Sequence, residues 1–354
     1  MKKTSATSLV ALALLCFTTS AYATYDPVGS GQTKLTIDRG FSSSLKKNGI
    51  TLSAKAGAKR RGASFVLPVV NGNLDTTIGK GEIDTEGTLL FQNQRKKVPL
   101  RNLVVRTKST PLVAKVGGSQ LKVASSRKTS SKRSGFGTSF SAKQLKLTAK
   151  VATRLNKKLR PKVPFAEGQI LGTLSSNAQP RLTTILPQNK ATLVLDPAFV
   201  TKMDKHFVSI NPIFPAEHQG STFSLPIIGG GSLAPNGSEG ELRTGGEMEF
   251  LQLGAGQVFW HEQWLGMAER LDTAEVDVEP TPAFPGKLGR LGVLQAAPFS
   301  VFSSPPQRTI AASGVQLTLT AQTAQTFNEA FAEGKGDFAA GELVGTLSFT
   351  AQGQ

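Results

Sequence analysis

The chain carries one block of sequence twice, so any fold it adopts must be built twice over from matching segments. A block near residues 33–179 recurs near residues 191–352. Leu35, Ile37, Asp38, Phe41, Ile50, Phe65, Leu67 and Pro68 match Leu193, Leu195, Asp196, Phe199, Val208, Phe223, Leu225 and Pro226, all at an offset of 158 with no gap. At the far end, Phe165–Gln179 aligns to Phe338–Gln352 with nine of fifteen residues identical. Two anchors in the same order, one at either end of the block, imply two domains in tandem.

Within one copy the apolar residues alternate with polar ones, as in Lys34-Leu35-Thr36-Ile37, Ile50-Thr51-Leu52-Ser53 and Leu145-Lys146-Leu147-Thr148. That period of two predicts short, half-buried strands. Asn71-Gly72, Gly79-Lys80-Gly81 and Gly117-Gly118 predict turns at the intervals of a β-sandwich. Two helical segments interrupt the strands. Asp38 is placed to cap Arg39 to Asn48, with Phe41 and Leu45 on one face and Gly49 ending the helix. The second copy repeats this with Asp196-Pro197, Phe199 and Met203. The second helix follows Thr148, with Ala152 and Leu155 inward, and recurs after Thr320 with Ala324 and Phe327. The expected fold is all-β: two tandem antiparallel β-sandwich-like domains, each with two short helices.

Lys2 and Lys3, the apolar run from Leu9 to Phe17 and Ala21-Tyr22-Ala23 make residues 1–23 read as a cleaved secretory signal. The apolar run is short of the roughly 20 residues that span a bilayer. The expected domains are then 24–185 and 186–354, joined by a short linker at 180–190, in a secreted protein that is extracellular or associated with the cell envelope. The one cysteine, Cys16, falls in the signal, so no disulfide holds either domain.

The formal charge of +17 divides unequally. Residues 24–185 carry 30 Lys and Arg against 7 Asp and Glu, and residues 186–354 carry 9 against 17, giving +23 and −8. An exported basic domain is drawn to an anionic envelope polymer, a membrane surface or an acidic protein partner, including the second repeat. Lys59, Arg60, Arg61, Arg95, Lys96, Lys97, Arg127, Lys128, Lys132 and Arg133 are the residues expected to make that contact. Ser125 to Ser134 reads as a mobile basic loop. No specific nucleic-acid role is expected.

The copies differ most in the middle. Phe91 to Leu145 is 54 positions and Phe250 to Leu317 is 67, so the second copy has 13 more residues. That stretch holds Trp260, His261, Trp264 and a proline-rich run from Pro280 to Pro306, and it reads as a long aromatic loop with a function of its own. Phe41, Phe199, Trp260, His261 and Trp264 are the candidate ligand-binding residues.

Groups for catalysis are scarce. The only histidines are His206, His218 and His261, all in the second copy. His206 falls at a helix end, where it reads as a cap, and His218 in a polar surface turn. Ser43 with Lys46 and Ser119 with Lys122 have a Ser-x-x-Lys spacing that a chain rich in both residues produces freely. Asp75, Glu82, Asp84 and Glu86 fit no calcium register and read as a charged strand edge. No catalytic residue and no metal site is assigned, and the protein reads as a non-enzymatic binding or structural protein.

The repeat unit resembles the haem-transport-associated (HtaA-type) domain of exported actinobacterial proteins. The residues carrying this are Leu35-Thr36-Ile37-Asp38 before the Phe41 helix, Phe65-Val66-Leu67-Pro68 with Gly72, Gly81-Glu82-Ile83 through Gly87-Thr88-Leu89-Leu90-Phe91, and Gly168-Gln169-Ile170-Leu171-Gly172-Thr173-Leu174. The resemblance implies an all-β fold with two short helices. It also implies haem as the alternative ligand, held in a hydrophobic cleft by a tyrosine on the first helical segment and a histidine after the Phe-x-Gly hairpin. Here Phe41 and Phe199 fall at the tyrosine position, and Gln94 and Leu253 near the histidine position. Iron ligation in the family manner is therefore not expected and no cofactor is assigned; a haem site would be a new one, with His261, His206 or a methionine as ligand.

Overall fold

The computed structural model describes residues 25–354 except 76–77, 95, 108–110, 117, 255 and 280–285. The expected signal, Arg95, Gly117 and the start of the proline-rich run lie outside the described residues. The first copy forms β1 (Asp26–Ile37), α1 (Arg39–Lys47), β2 (Thr51–Lys55), β3 (Lys59–Arg61), β4 (Ser64–Asp75), β5 (Lys80–Thr85), β6 (Thr88–Gln92), β7 (Lys97–Arg106), β8 (Leu112–Val116), β9 (Ser119–Ser125), β10 (Lys128–Ser134), β11 (Gly137–Leu147), α2 (Ala149–Leu159) and β12 (Ile170–Pro180). The second forms β13 (Thr183–Thr184), β14 (Lys190–Leu195), α3 (Pro197–Lys205), β15 (Val208–Ile213), β16 (Glu217–Gln219), β17 (Thr222–Pro226), β18 (Ser232–Leu233), β19 (Gly240–Arg243), β20 (Glu247–Gln252), β21 (Gly256–Gly266), β22 (Leu271–Val278), β23 (Lys287–Ala296), β24 (Phe302–Ser304), β25 (Thr309–Leu319), α4 (Ala321–Phe331) and β26 (Leu343–Gln352).

The chain is all-β, with two antiparallel sheets, each accompanied by two short helices. The first sheet runs β7-β5-β4-β1-β12-β11-β9-β8, and β8 pairs back onto β7, so eight strands close into a ring. Closure leaves this ring without an open edge. The second sheet closes in the same order, with β13 and β14 standing for β1 and β17 and β18 for β4. The layered arrangement anticipated from the strand spacing is one curled sheet in each half, its edges joined.

The register carries the duplication into three dimensions. Leu35 faces Phe65 on β4 and Leu174 on β12, and Leu193 faces Phe223 and Leu347. The helix caps match as well: Asp38 accepts from the amides of Gly40 (2.8 Å) and Phe41 (3.2 Å), and Asp196 from those of Ala198 (2.9 Å) and Phe199 (3.4 Å). Each second helix is pinned to the chain that leaves it. The Asn156 side chain donates to the Phe165 carbonyl (2.9 Å) and accepts from its amide (2.8 Å), and Asn328 does the same with Phe338. Two apolar cores result, and each fully buried Leu or Phe contributes roughly 1.5–3 kcal/mol.

Four local expectations are corrected. Asn71-Gly72 lies within β4 beside a bulge in its pairing with β5, because Gly72 at φ +140° lets the strand bend without turning back. Ser125 to Ser134 is largely strand: β10 pairs along its length with β11, whose backbone supplies the partners that Ser and Lys side chains do not select for themselves. Trp260, His261 and Trp264 stand on β21, not on a loop, and β22 and β23, at 8 and 10 residues, are longer than their counterparts β8 and β9, at 5 and 7. His218 sits on the short strand β16.

The halves touch. The buried Asp26 carboxylate accepts from the amide (3.0 Å) and hydroxyl (2.9 Å) of Thr184, and Phe136, from the β10–β11 turn, is buried in the second core. Arg181 makes a two-pronged ion pair with Glu239 at 2.8 to 3.2 Å.

One buried acid has no counterpart in the first half. Register places Asp272 opposite Leu265 where Leu112 stands opposite Val105. Asp272 is 4% exposed, and burial raises its carboxyl from the ordinary 3.8 to about 7, with Arg290 pulling it back down. The folded protein thus keeps a proton that the unfolded chain loses above 3.8. Stability against urea is expected to fall as pH rises from 3.8 to about 7 and to level off above that. Asp272→Leu should remove that slope and raise stability at alkaline pH by up to about 4 kcal/mol. An unchanged slope in the variant would assign the pH dependence to other groups.

Candidate functional site

The first candidate residues are packed shut. Phe41 is 1% exposed, with Phe91 edge-on at 6.4 Å and Phe165 at 5.7 Å. Beside it, between α2 and the sheet, a cavity of about 10 Å³ is lined by Leu35, Leu52, Leu100, Val151 and Leu155 among others. That is room for about one water. Phe199 is equally buried, in a core where Trp260 stacks on Phe327 at 5.7 Å and touches Phe250 at 4.6 Å. These aromatic rings hold helices onto sheets.

Trp264 and His261 point the other way, onto the outer face of β21. The indole of Trp264 is held between two guanidinium groups, Arg243 on β19 at 4.1 Å and Arg290 on β23 at 3.7 Å from the ring centre. Cations over an aromatic face are attracted by its quadrupole, by about 0.5–2 kcal/mol each. Arg243 also pairs with Glu241, and Arg290 donates to the Glu262 carbonyl at 3.0 Å. His261 faces Glu247 through Nδ1 at 2.9 Å and Asp277 through Nε2 at 3.4 Å, with the Phe259 ring parallel at 5.7 Å. Both ring nitrogens are thus turned to carboxylates. His206, the C-cap of α3, faces Asp337 at 3.2 Å.

A haem held in the family manner does not fit these residues. Two phenylalanines stand at the tyrosine position inside closed cores, and the space beside Phe41 admits a water and not a macrocycle. Among the described residues, no group of three or more His, Cys, Asp and Glu could hold a metal ion.

The basic residues are spread over the first half. Lys59, Arg60 and Arg61 lie exposed on β3, where Arg60 stands over the Phe65 ring at 5.7 Å. Lys96 and Lys97 sit at the β6–β7 turn, and Lys132 points outward from β10. Arg133 turns toward the second half, where burial first and then the charge of Arg308 hold its guanidinium below the usual value. Arg127 and Lys128 do converge with other cations. They line a groove of about 690 Å³ together with Lys143 and Lys146 of β11 and one acid, Glu167.

A bulge builds this groove. In a regular strand Lys143 would share a face with the buried Leu145 and Leu147. The pairing of β11 with β12 slips between Ala142 and Leu145, Gln144 takes φ +52°, and Lys143 joins Lys146 on the outside. The corresponding stretch of β25 has Gln316 and Thr318 facing Thr346 and Leu343, both uncharged. Sequence reasoning found Arg127 and Lys128 but not Lys143 and Lys146; the alternation of Lys146 with Leu145 and Leu147 was a usable signal, whereas Lys143 is turned outward only by the bulge. Arg243 and Arg290 carried none, because they reach Trp264 only through strand pairing.

No family model matches the chain, and no curated protein matches it. Among solved structures it is similar to the C-terminal domain of HtaA from Corynebacterium glutamicum, at 14% identity over 48% of this chain and 98% of that one, with a TM-score of 0.37. It is also similar to the N-terminal domain of HtaA from the same organism, at 16% identity over 48% of this chain and 99% of that one, with a TM-score of 0.36.

Because Phe41 fills a closed site, Phe41→Tyr is expected to bury an unpartnered hydroxyl. It should cost about 1–3 kcal/mol of stability and yield no Soret shift on haem titration. A stable variant with a new Soret band would show instead that the site opens.

Proposed function

We propose that the chain is an exported, envelope-associated binding protein without catalytic function. Its two HtaA-like domains divide the work, the basic first one holding an anionic polymer. The observation that carries this reading is the groove of Arg127, Lys128, Lys143 and Lys146, four cations lining one groove with a single acid, Glu167. Like charges gathered against their own repulsion give a polyanion several attachment points at once, and release of its counterions adds to the attraction. The charge split supports it, since the surplus of positive charge lies in the half that has the groove. The sequence resemblance to exported HtaA-type domains and the signal-like residues 1–23 support export. The second half, acidic and joined to the first through Asp26, Phe136 and Arg181, acts as the partner that holds the first half in place.

The test is binding of the mature chain to a linear inorganic polyphosphate, which offers charge and no sugar. Affinity should fall at least roughly tenfold between about 0.05 and 0.5 M salt. Lys143→Glu combined with Lys146→Glu should weaken it by a similar factor at low salt, with the circular dichroism spectrum unchanged. Salt-insensitive binding, or no loss in the double variant, would refute the reading.

A further inference from the structure

The strand pairings show that one surface site exists twice and has diverged to two different states. In the second half, Arg243 of β19 faces Trp264 of β21, and the row Glu247, His261, Glu275, Arg290 crosses β20, β21, β22 and β23. In the first half the same pairings set Asp84 of β5 against Val104 of β7, and the row Thr88, Arg101, Lys115, Gln120 crosses β6, β7, β8 and β9. The matched bend confirms the alignment: Asn102 and Glu262, each next after Arg101 and His261, have φ +50° and +47°. Val104 thus stands where Trp264 stands, and Asp84 and Gln120 where the two arginines stack on it.

The consequence is a difference in filling. In the second half an indole occupies the site, clasped at 4.1 and 3.7 Å by Arg243 and Arg290. In the first half the smaller valine leaves a groove of about 770 Å³, lined by Val70, Asp84, Glu86, Arg101, Val104 and Lys115 among others. A second hollow of about 560 Å³ continues it over Pro99, Arg101 and Lys115. Ligand sites commonly measure about 300–1,000 Å³. Val70, 48% exposed, gives the groove an apolar floor beside its charged walls.

We propose that this groove binds a sugar ring bearing a carboxylate, a uronic-acid unit of an acidic glycan, in the space that the second half fills with Trp264. The scaffold already holds a flat ring of about that size at these positions. The charges are sorted across the groove and set the orientation of the ring. Asp84 and Glu86, on the β5 side, accept from ring hydroxyls, while Arg101 and Lys115, on β7 and β8, take the carboxylate. Burial and then the neighbouring Glu82 raise the Asp84 carboxyl above its ordinary value, which lessens its repulsion of an acidic ligand. A phosphate, with two charges and no ring, would meet the same two acids with nothing to stack on Val70 and Val104. The site shares no lining residue with the basic groove, so it stands or falls separately from the polyphosphate reading.

The experiment is calorimetric titration of the mature chain with tetragalacturonate and with its neutral galactose counterpart. Wild type should bind the acidic tetramer at least roughly tenfold more tightly than the neutral one. Val104→Trp, which installs the ring of the second half, and Lys115→Glu, an exposed position that leaves the fold intact, should each weaken binding by roughly tenfold or more. Lys143→Glu with Lys146→Glu should leave it within about threefold. No heat at millimolar ligand, equal affinity for the neutral tetramer, or wild-type affinity in both groove variants would overturn the proposal. Loss of binding in the Lys143 and Lys146 variant alone would also overturn it, by placing the glycan in the basic groove.

Discussion

Each half of the molecule depends on its first strand pairing with its last. β1 lies between β4 and β12, and β14 between β17 and β26, so the ring cannot close until residues some 135 to 158 positions apart have met. The approach is tight where a glycine recurs in both copies. A side chain added at Gly172 would place its Cβ 2.0 Å from the Thr36 carbonyl oxygen, and one at Gly345 would lie 2.3 Å from that of Val194. Glycine is needed there because two backbones must come together, and the same glycine recurs in both copies for the same reason. The helices depend on this closure in turn, since Asp38 and Asp196 begin α1 and α3 directly after the paired strands.

Once the rings are closed, their outer faces are free to differ. The interior positions tolerate little: Phe41, Phe199, Leu35 and Leu193 keep their chemistry because a packed core penalises a change of shape. Asp272 is the exception, an acid admitted to the second core where the first has leucine. On the outside, the same strand positions carry Asp84 or Arg243, Lys115 or Glu275, Gln120 or Arg290, so one groove stays open and the other is filled by an indole between guanidinium groups. Divergence of charge between the halves is thus partly divergence of a single site.

Much of the architecture was legible in the residues themselves. The two anchors of the duplication are the strands that pair with each other, and the caps at Asp38 and Asp196 do what a short acceptor before a helix does. What misled was composition. Ser, Lys and Arg from Ser125 to Ser134 resemble solvated chain, yet β11 offers them a backbone ladder, and the ladder prevails. Trp260 and Trp264, four residues apart, read as one aromatic cluster; the bulge between His261 and Trp264 leaves Trp260 in the core and Trp264 outside, stacked between arginines.

The sequence by itself determined the number of repeats, their strand and helix types, the positions of the caps and the inward residues, because these follow from local periodicity and from side-chain chemistry within a few positions. Only the tertiary structure decided which outward side chains share a face. Arg127 with Lys146 and Asp84 with Lys115 come to line one groove, and Arg243 and Arg290 come to stack on Trp264, through register, bulges and ring closure, which join strands whose spacing along the chain carries no trace of it.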